Sequence, residues 1–133
     1  MEDSELIALG KAVLNCEADT IKTATSRVGE SFAKAIREIL SHKGKLMVSG
    51  VGKSGLVGQK IAATLSSTGT PAVFMHACDA VHGDLGVYEP GDPTLLISNS
   101  GSTVECLRLI PILKKFNSTI IALIGNLDSP MGR

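Results

Sequence analysis

Four short apolar runs, each breaking into a polar or glycine-rich turn, constrain this chain more than any other feature of its sequence. Leu46-Met47-Val48 breaks into Gly50-Val51-Gly52-Lys53-Ser54-Gly55, and Leu56 to Leu65 is then spaced like a helix. Pro71 to Met75 meets a mixed loop of His, Cys, Asp and Gly. Pro93 to Ile97 ends in Ser98-Asn99-Ser100-Gly101, ahead of a helical stretch reaching Phe116, and Thr119 to Ile124 ends in Gly125-Asn126. Continuous apolar runs of this length, alternating with helices, describe strands buried in a parallel sheet. Right-handed crossovers then lead to an α/β chain, a three-layer α/β/α sandwich around an open parallel sheet. Pro111 removes a backbone donor from the helix after Ser100, which predicts a kink or a poorly formed first turn there.

Upstream of Lys45 the texture is helical. Leu6, Leu9, Val13, Cys16 and Ile21 approximate a 3.6-residue period and predict a helix over residues 4–25. Phe32, Ile36, Ile39 and Leu40 predict a second one that stops at Lys43-Gly44, where glycine can take the helix-ending left-handed turn. This helical pair, residues 1–43, is expected to pack on the sheet of one domain covering 1–133. Cys16 and Cys106 lie in helical patterns and read as packing residues.

Composition narrows the class. The chain has 133 residues, 44% of them hydrophobic, and 13 Lys plus Arg balance 13 Asp plus Glu. That balance argues against a nucleic-acid binder working by broad phosphate neutralisation and against a polybasic membrane patch. No apolar run approaches a membrane span, and the acidic start, Met1-Glu2-Asp3-Ser4-Glu5, is unlike a signal peptide. Cys16, Cys78 and Cys106 form no disulfide framework, so the expected compartment is a reducing cytoplasm.

In an open parallel sheet, ligands bind beyond the carboxyl ends of the strands. Three turns converge there: Gly50 to Gly55, His76 to Gly86, and Ser98 to Glu105. Gly50-x-Gly52-x-x-Gly55 fits a dinucleotide fingerprint, yet no acidic residue closes the second run, and Met47 stands where a Walker A glycine would be needed. The same glycines serve equally to pack helix against strand. Ser98-Asn99-Ser100-Gly101-Ser102-Thr103 offers hydroxyls and amides at a helix start, an anion cradle suited to a phosphate monoester. No aromatic stacking residue lies nearby, which favours a sugar phosphate over a nucleotide. Ser102-x-x-Glu105 reads equally as a capping box. His76, Cys78 and His82 are weak metal-ligand candidates, because their spacing matches no common zinc signature. His82, before Gly83-Asp84, reads better as a loop histidine able to move a proton near neutral pH.

Gly50-Val51-Gly52-Lys53-Ser54-Gly55, Ser67-Thr68-Gly69-Thr70-Pro71, His82-Gly83-Asp84-Leu85-Gly86 and Ser98-Asn99-Ser100-Gly101, standing in this order, resemble the sugar isomerase (SIS) domain of arabinose-5-phosphate isomerases. The resemblance runs from about residue 10 to the last residue. It implies a flavodoxin-like parallel sheet, five-stranded in the family, and interconversion of D-arabinose 5-phosphate and D-ribulose 5-phosphate for 3-deoxy-D-manno-octulosonate biosynthesis. It also implies no cofactor, and a homo-oligomer, dimer or tetramer, with sites shared between subunits. Carried over by position, Lys53, His82 and Glu105 become the catalytic residues. Gly52, Ser54, Ser98, Asn99, Ser100 and Thr103 would hold phosphate or sugar hydroxyls.

Departures from the family pattern are also present. Cys78 stands where a small residue is usual, Asp79 where Glu is usual, and Ser102 where Glu is common. Family members continue beyond the equivalent of Arg133 into a fifth strand and helices that add a glutamate and a histidine, and often into paired CBS domains, so an incomplete SIS domain is expected. Two other readings remain open: a non-catalytic SIS module that senses a phosphosugar, and a nucleotide-binding α/β domain. The sensor needs the hydroxyl cradle but no proton shuttle; the nucleotide domain needs an NAD site at Gly50 to Gly55.

Overall fold

A computed structural model describes residues 2–133. They form two compact units, one ending at Ile36 and one running from Arg37 to Arg133.

The first unit holds helix α1 (Asp3–Ala24), a 3-10 turn (Thr25–Arg27) and the start of α2 (Glu30–Ser41). Glu2 caps α1 in a reciprocal capping box with Glu5, which satisfies amides that the helix itself leaves free. No residue of α1 is buried within this chain. Leu6, Ile7, Leu9, Val13, Leu14 and Ile21 are all exposed. Cys16 is exposed as well, which corrects its reading as a packing residue: a periodic apolar residue is buried only where a neighbour covers its face.

The second unit contains β1 (Leu46–Gly50), α3 (Gly52–Ser67), β2 (Ala72–His76), α4 (Ala77–His82), a 3-10 turn (Asp84–Val87), β3 (Thr94–Ser98), α5 (Val104–Lys115) and β4 (Ile120–Ile124). All pairings are parallel and the strand order is β2-β1-β3-β4. The register sets Gly50 beside His76 on one flank and beside Ile97 on the other, so the strand ends come level.

Alternation along the strands divides the core into two layers. Met47, Met75 and Leu96 pack with Ala77 and Ala80 of α4 and Cys106, Leu109 and Leu113 of α5. Leu46, Val48 and Ile97 face the other way, against Ala62 of α3, with Ile39 of α2 packed alongside. The three-layer α/β/α expectation therefore holds, with four strands. Uniform burial of the apolar runs does not: β1 is buried throughout, whereas β4, which among the described residues pairs with β3 alone, has no buried residue. A continuous apolar run marks a strand but does not reveal whether the strand is central or at an edge.

Three local expectations are revised. The loop after Met75 contains the short helix α4, too brief for periodicity to register. Helix α5 continues as α-helix through Pro111, which lies in its interior rather than its first turn; Pro111 is exposed, so water can reach the backbone it leaves unpaired. Helix α2 ends at Ser41, and Gly44 is absent from the positive-φ residues. Gly44 is needed for space instead: a Cβ there would strike Asp92 Oδ1 and His42 Nε2.

Those two side chains belong to a buried clasp at the amino ends of β1 and β3. Asp92 is 1% exposed. Its Oδ2 lies 2.8 Å from Lys45 Nζ and accepts from the Glu89 N–H at 2.9 Å. Its Oδ1 lies 3.1 Å from His42 Nε2 and accepts from the Lys45 N–H at 3.3 Å. Ser118 Oγ donates to the Asp92 carbonyl at 2.6 Å and accepts from Thr94 Oγ1 at 2.8 Å. Burial pushes the Asp92 carboxyl upward, but the Lys45 ammonium, the two N–H donors and His42 outweigh it and hold its pKa at about 2.

A carboxylate whose pKa falls on folding stabilises above its unfolded value and loses that contribution as pH drops through the folded one. The clasp should therefore contribute fully above about pH 4 and fade towards pH 2. Asp92→Asn leaves the Lys45 ammonium only the exposed Glu89 carboxylate, at 3.3 Å, and should cost about 3 kcal/mol in urea unfolding at pH 7. It should cost much less at pH 2. A variant as stable as the wild type at pH 7 would contradict this account.

Candidate active site

The strand order reverses direction between β1 and β3, because the chain runs outward from β1 to β2 and then returns to β3 on the other side. At such a switch point the loops leaving the two carboxyl ends diverge to opposite faces and open a crevice between them. Here α3 leaves β1 on one face and α5 leaves β3 on the other.

The β1 turn is tight because its backbone atoms nearly touch. A Cβ on Gly50 would lie 3.1 Å from the Ile97 carbonyl oxygen and 3.2 Å from the Gly55 nitrogen, and one on Gly55 would lie 3.2 Å from the Gly50 oxygen. A Cβ on Gly58 would lie 3.0 Å from the Phe74 ring. Gly52, at φ 58°, has open space around it and needs glycine for its backbone angle alone. Packing thus accounts for Gly50 and Gly55, while Gly52 turns the chain so that Lys53 and Ser54 start α3. Lys53 is exposed and Ser54 half-buried.

The β3 turn is built by its own side chains. Ser98 is buried; its Oγ accepts from the Gly101 N–H at 3.0 Å and shares a hydrogen with Thr103 Oγ1 at 2.7 Å. Ser98 and Thr103 therefore shape the turn from within. Asn99 and Ser100 are exposed, and Ser100 Oγ accepts from both the Ser102 N–H, at 3.2 Å, and the Ser102 hydroxyl, at 3.1 Å. Gly101, at φ 65°, completes the bend.

Helix α5 starts one residue later than a Ser102 cap would require. Thr103 is the N-cap and makes no side-chain capping bond. The capping-box reading of Ser102 and Glu105 is thereby corrected: the tight Ser98–Thr103 turn consumes the residue that would have capped. Half-buried Glu105 stands in the first turn of α5, and among the described residues its carboxylate has no hydrogen bond or ion pair. Next to it, Cys106 is fully buried and its thiol is pushed up to about 11, first by burial and then by the charges of Glu105 and Cys78.

His82 is exposed at the last position of α4, whose Ala77 and Ala80 pack with Cys106 and Leu109 of α5. His76 is occupied locally, its Nδ1 accepting from the Cys78 N–H at 3.3 Å. Among the described residues no three His, Cys, Asp or Glu side chains are grouped as a metal site. Lys53, Glu105 and His82 thus follow the carboxyl ends of the neighbouring strands β1, β3 and β2, at one end of the sheet. Sequence reasoning missed the wall behind the β3 turn. The Gly125 N–H donates to the Asn99 carbonyl and the Met131 N–H to the Gly101 carbonyl, both at 3.0 Å. The glycine closing β4 was the only hint of it.

Residues 39–133 match the SIS domain family. Arabinose 5-phosphate isomerase KdsD of Pseudomonas aeruginosa is 42% identical over 99% of this chain, which covers 40% of that protein. KdsD of Yersinia pestis is 46% identical over 93% of the chain and 38% of its own length. The chain therefore spans about two fifths of the curated relatives it matches. Among solved structures, Escherichia coli CFT073 c3406 in complex with arabinose 5-phosphate superposes with a TM-score of 0.92 at 39% identity, over 99% of this chain and 70% of that one.

The turn geometry predicts an ordering of two substitutions. Gly50→Ala should cost about 2 kcal/mol by forcing β1 from α3 and β3. Gly52→Ala should cost about 1 kcal/mol, through backbone angle alone. Urea unfolding of the two variants decides it, and the reverse order would contradict the close-packing account of Gly50.

Proposed function

Since this chain belongs to the SIS domain family, we propose that it is the isomerase domain of an arabinose-5-phosphate isomerase, interconverting D-arabinose 5-phosphate and D-ribulose 5-phosphate. The observation that carries this reading is the likeness, along nearly the whole chain, to a structure in complex with arabinose 5-phosphate. The curated relatives' names agree with it.

The chemistry suits the residues beyond the carboxyl ends of the strands. Moving a carbonyl from C1 to C2 requires removal of the C2 proton, an enediolate, and return of the proton to C1. Glu105, without a competing partner among the described residues, takes the C2 proton and delivers it to C1. Lys53 stabilises the developing oxyanion, a task for a positive charge held near the crevice. His82 transfers protons between O1 and O2 or assists ring opening. Gly52, Ser54, Asn99 and Ser100 bind the phosphate and hydroxyls at the starts of α3 and α5, and Ser98 and Thr103 hold the second turn in shape for them. In the reverse direction the arabinose 5-phosphate formed serves 3-deoxy-D-manno-octulosonate synthesis in the cytoplasm.

The proposal extends to assembly. Helix α1 leaves six large apolar side chains exposed, and an isolated helix depends on packing of such residues for its stability. A second copy of the chain is proposed to cover them. Sedimentation equilibrium should show dimers or tetramers, with Leu9→Asp shifting the population to monomer; a monomeric wild type would refute this part.

The catalytic assignment is tested on the domain or any longer polypeptide that carries it. Glu105→Gln should lower kcat for arabinose 5-phosphate by about a thousandfold or more while leaving its Kd within a few-fold. In deuterated water the wild type should place deuterium at C1 of ribulose 5-phosphate. Unchanged turnover would remove Glu105 from the mechanism; absence of isomerisation with retained phosphosugar binding would favour a sensor.

A further inference from the structure

We propose that Ser129 is a positioning residue for the Ser98–Thr103 anion turn, coupling that turn to the segment that follows β4. The proposal takes only the identity of the anion, a phosphate, from the isomerase reading.

The segment 125–131 grips the turn by alternate peptide groups. The Gly125 N–H holds the Asn99 carbonyl, and the Met131 N–H holds the Gly101 carbonyl. Each carbonyl belongs to the peptide whose N–H is that of the next residue, Ser100 and Ser102 respectively. A carbonyl that accepts a hydrogen bond polarises its own peptide and makes the attached N–H a stronger donor. Two amides from one segment thus strengthen the Ser100 and Ser102 donors of the turn, both of which lie in exposed residues. Of the two, the Ser102 N–H rests on Ser100 Oγ at 3.2 Å, a long contact that an anion could replace.

Ser129 stands between the two grips. It is 3% exposed, and its side chain fills the place where a Cβ on Gly101 would project. Gly101 has its positive φ at this same point. The Ser129 hydroxyl has no hydrogen-bond partner, one of two such buried side-chain atoms among the described residues. Alanine would fill nearly the same volume without burying an unpaired hydroxyl, so serine costs stability here. A local cost of this kind marks a functional position when the residue abuts a site. When the turn settles around an anion, the hydroxyl is placed to donate to the Gly101 carbonyl, whose second lone pair the Met131 N–H leaves free, and so to hold the two donors in their binding orientation.

The test compares the wild type with Ser129→Ala by calorimetric titration with inorganic phosphate, thermal unfolding, and steady-state kinetics on arabinose 5-phosphate. Loss of a positioning hydrogen bond should raise the phosphate Kd and the KM by about fivefold, with kcat nearly unchanged. The variant should melt at or above the wild-type temperature, because the orphaned hydroxyl is gone. A Kd within twofold of wild type, or a lowered melting temperature accompanying the weaker binding, would overturn the proposal, as would a wild type that binds no phosphate. Whether the wild type isomerises arabinose 5-phosphate is read separately and bears on the isomerase assignment alone.

Discussion

The adjacency of β1 and β3 is the constraint on which the rest of this structure depends, and a buried carboxylate fixes it. Asp92 stands just before β3, with Pro93 between them, while Lys45 immediately precedes β1, and both side chain and backbone of Lys45 reach Asp92. Burying a carboxylate is costly, and the ammonium, imidazole and amide contacts together reverse that cost. The Met47 N–H then donates to the Pro93 carbonyl, and the pairing proceeds from Met47 with Thr94 to Gly50 with Ile97. A slip of one residue would turn Met47 and Leu96 to the wrong layer. The clasp at one end of the sheet thereby determines which residues stand level at the other, where the turns after β1 and β3 begin.

The elements legible in the sequence were those with period and punctuation. Each of the four apolar runs became a strand, and Ser98-Asn99-Ser100-Gly101 announced a turn into a helix because hydroxyls and glycine have few other reasons to cluster there. The clasp was not legible. His42 and Asp92 are 50 residues apart, and Lys45 and Asp92 nearly as far; a single charged side chain carries no sign of the partner it will meet. Gly44 shows the same limit, since its lack of a side chain looked like a backbone preference and proved to be room for His42 and Asp92.

At the candidate site the sequence offered the residue types but left open how each was used. Ser102-x-x-Glu105 fitted a capping box and a free carboxylate equally well. The choice fell on the turn's internal bonding, with Ser98 Oγ taking the Gly101 amide and leaving Thr103 as the N-cap. The Ser129 hydroxyl escaped notice for a different reason. Asn126, Asp128 and Ser129 form what reads as an ordinary polar loop, and only burial against Gly101 makes one of its hydroxyls anomalous.

The two edges of the sheet treat charge in opposite ways, and the difference bears on function. At the amino edge Asp92 is saturated by donors, so its charge is committed to holding strands together. Beyond the carboxyl ends Lys53 and His82 are exposed, and among the described residues the Glu105 carboxylate is unpaired. A group that must bind and release protons during a reaction cannot also be locked in a strong ion pair, because the pair would have to break in each cycle. Cys106, buried behind Glu105 with its thiol held protonated, places an uncharged neighbour where a thiolate would repel the carboxylate. The saturated charges thus lie at the amino ends of the strands and the unpaired ones beyond their carboxyl ends, the distribution that the proposed proton transfers require.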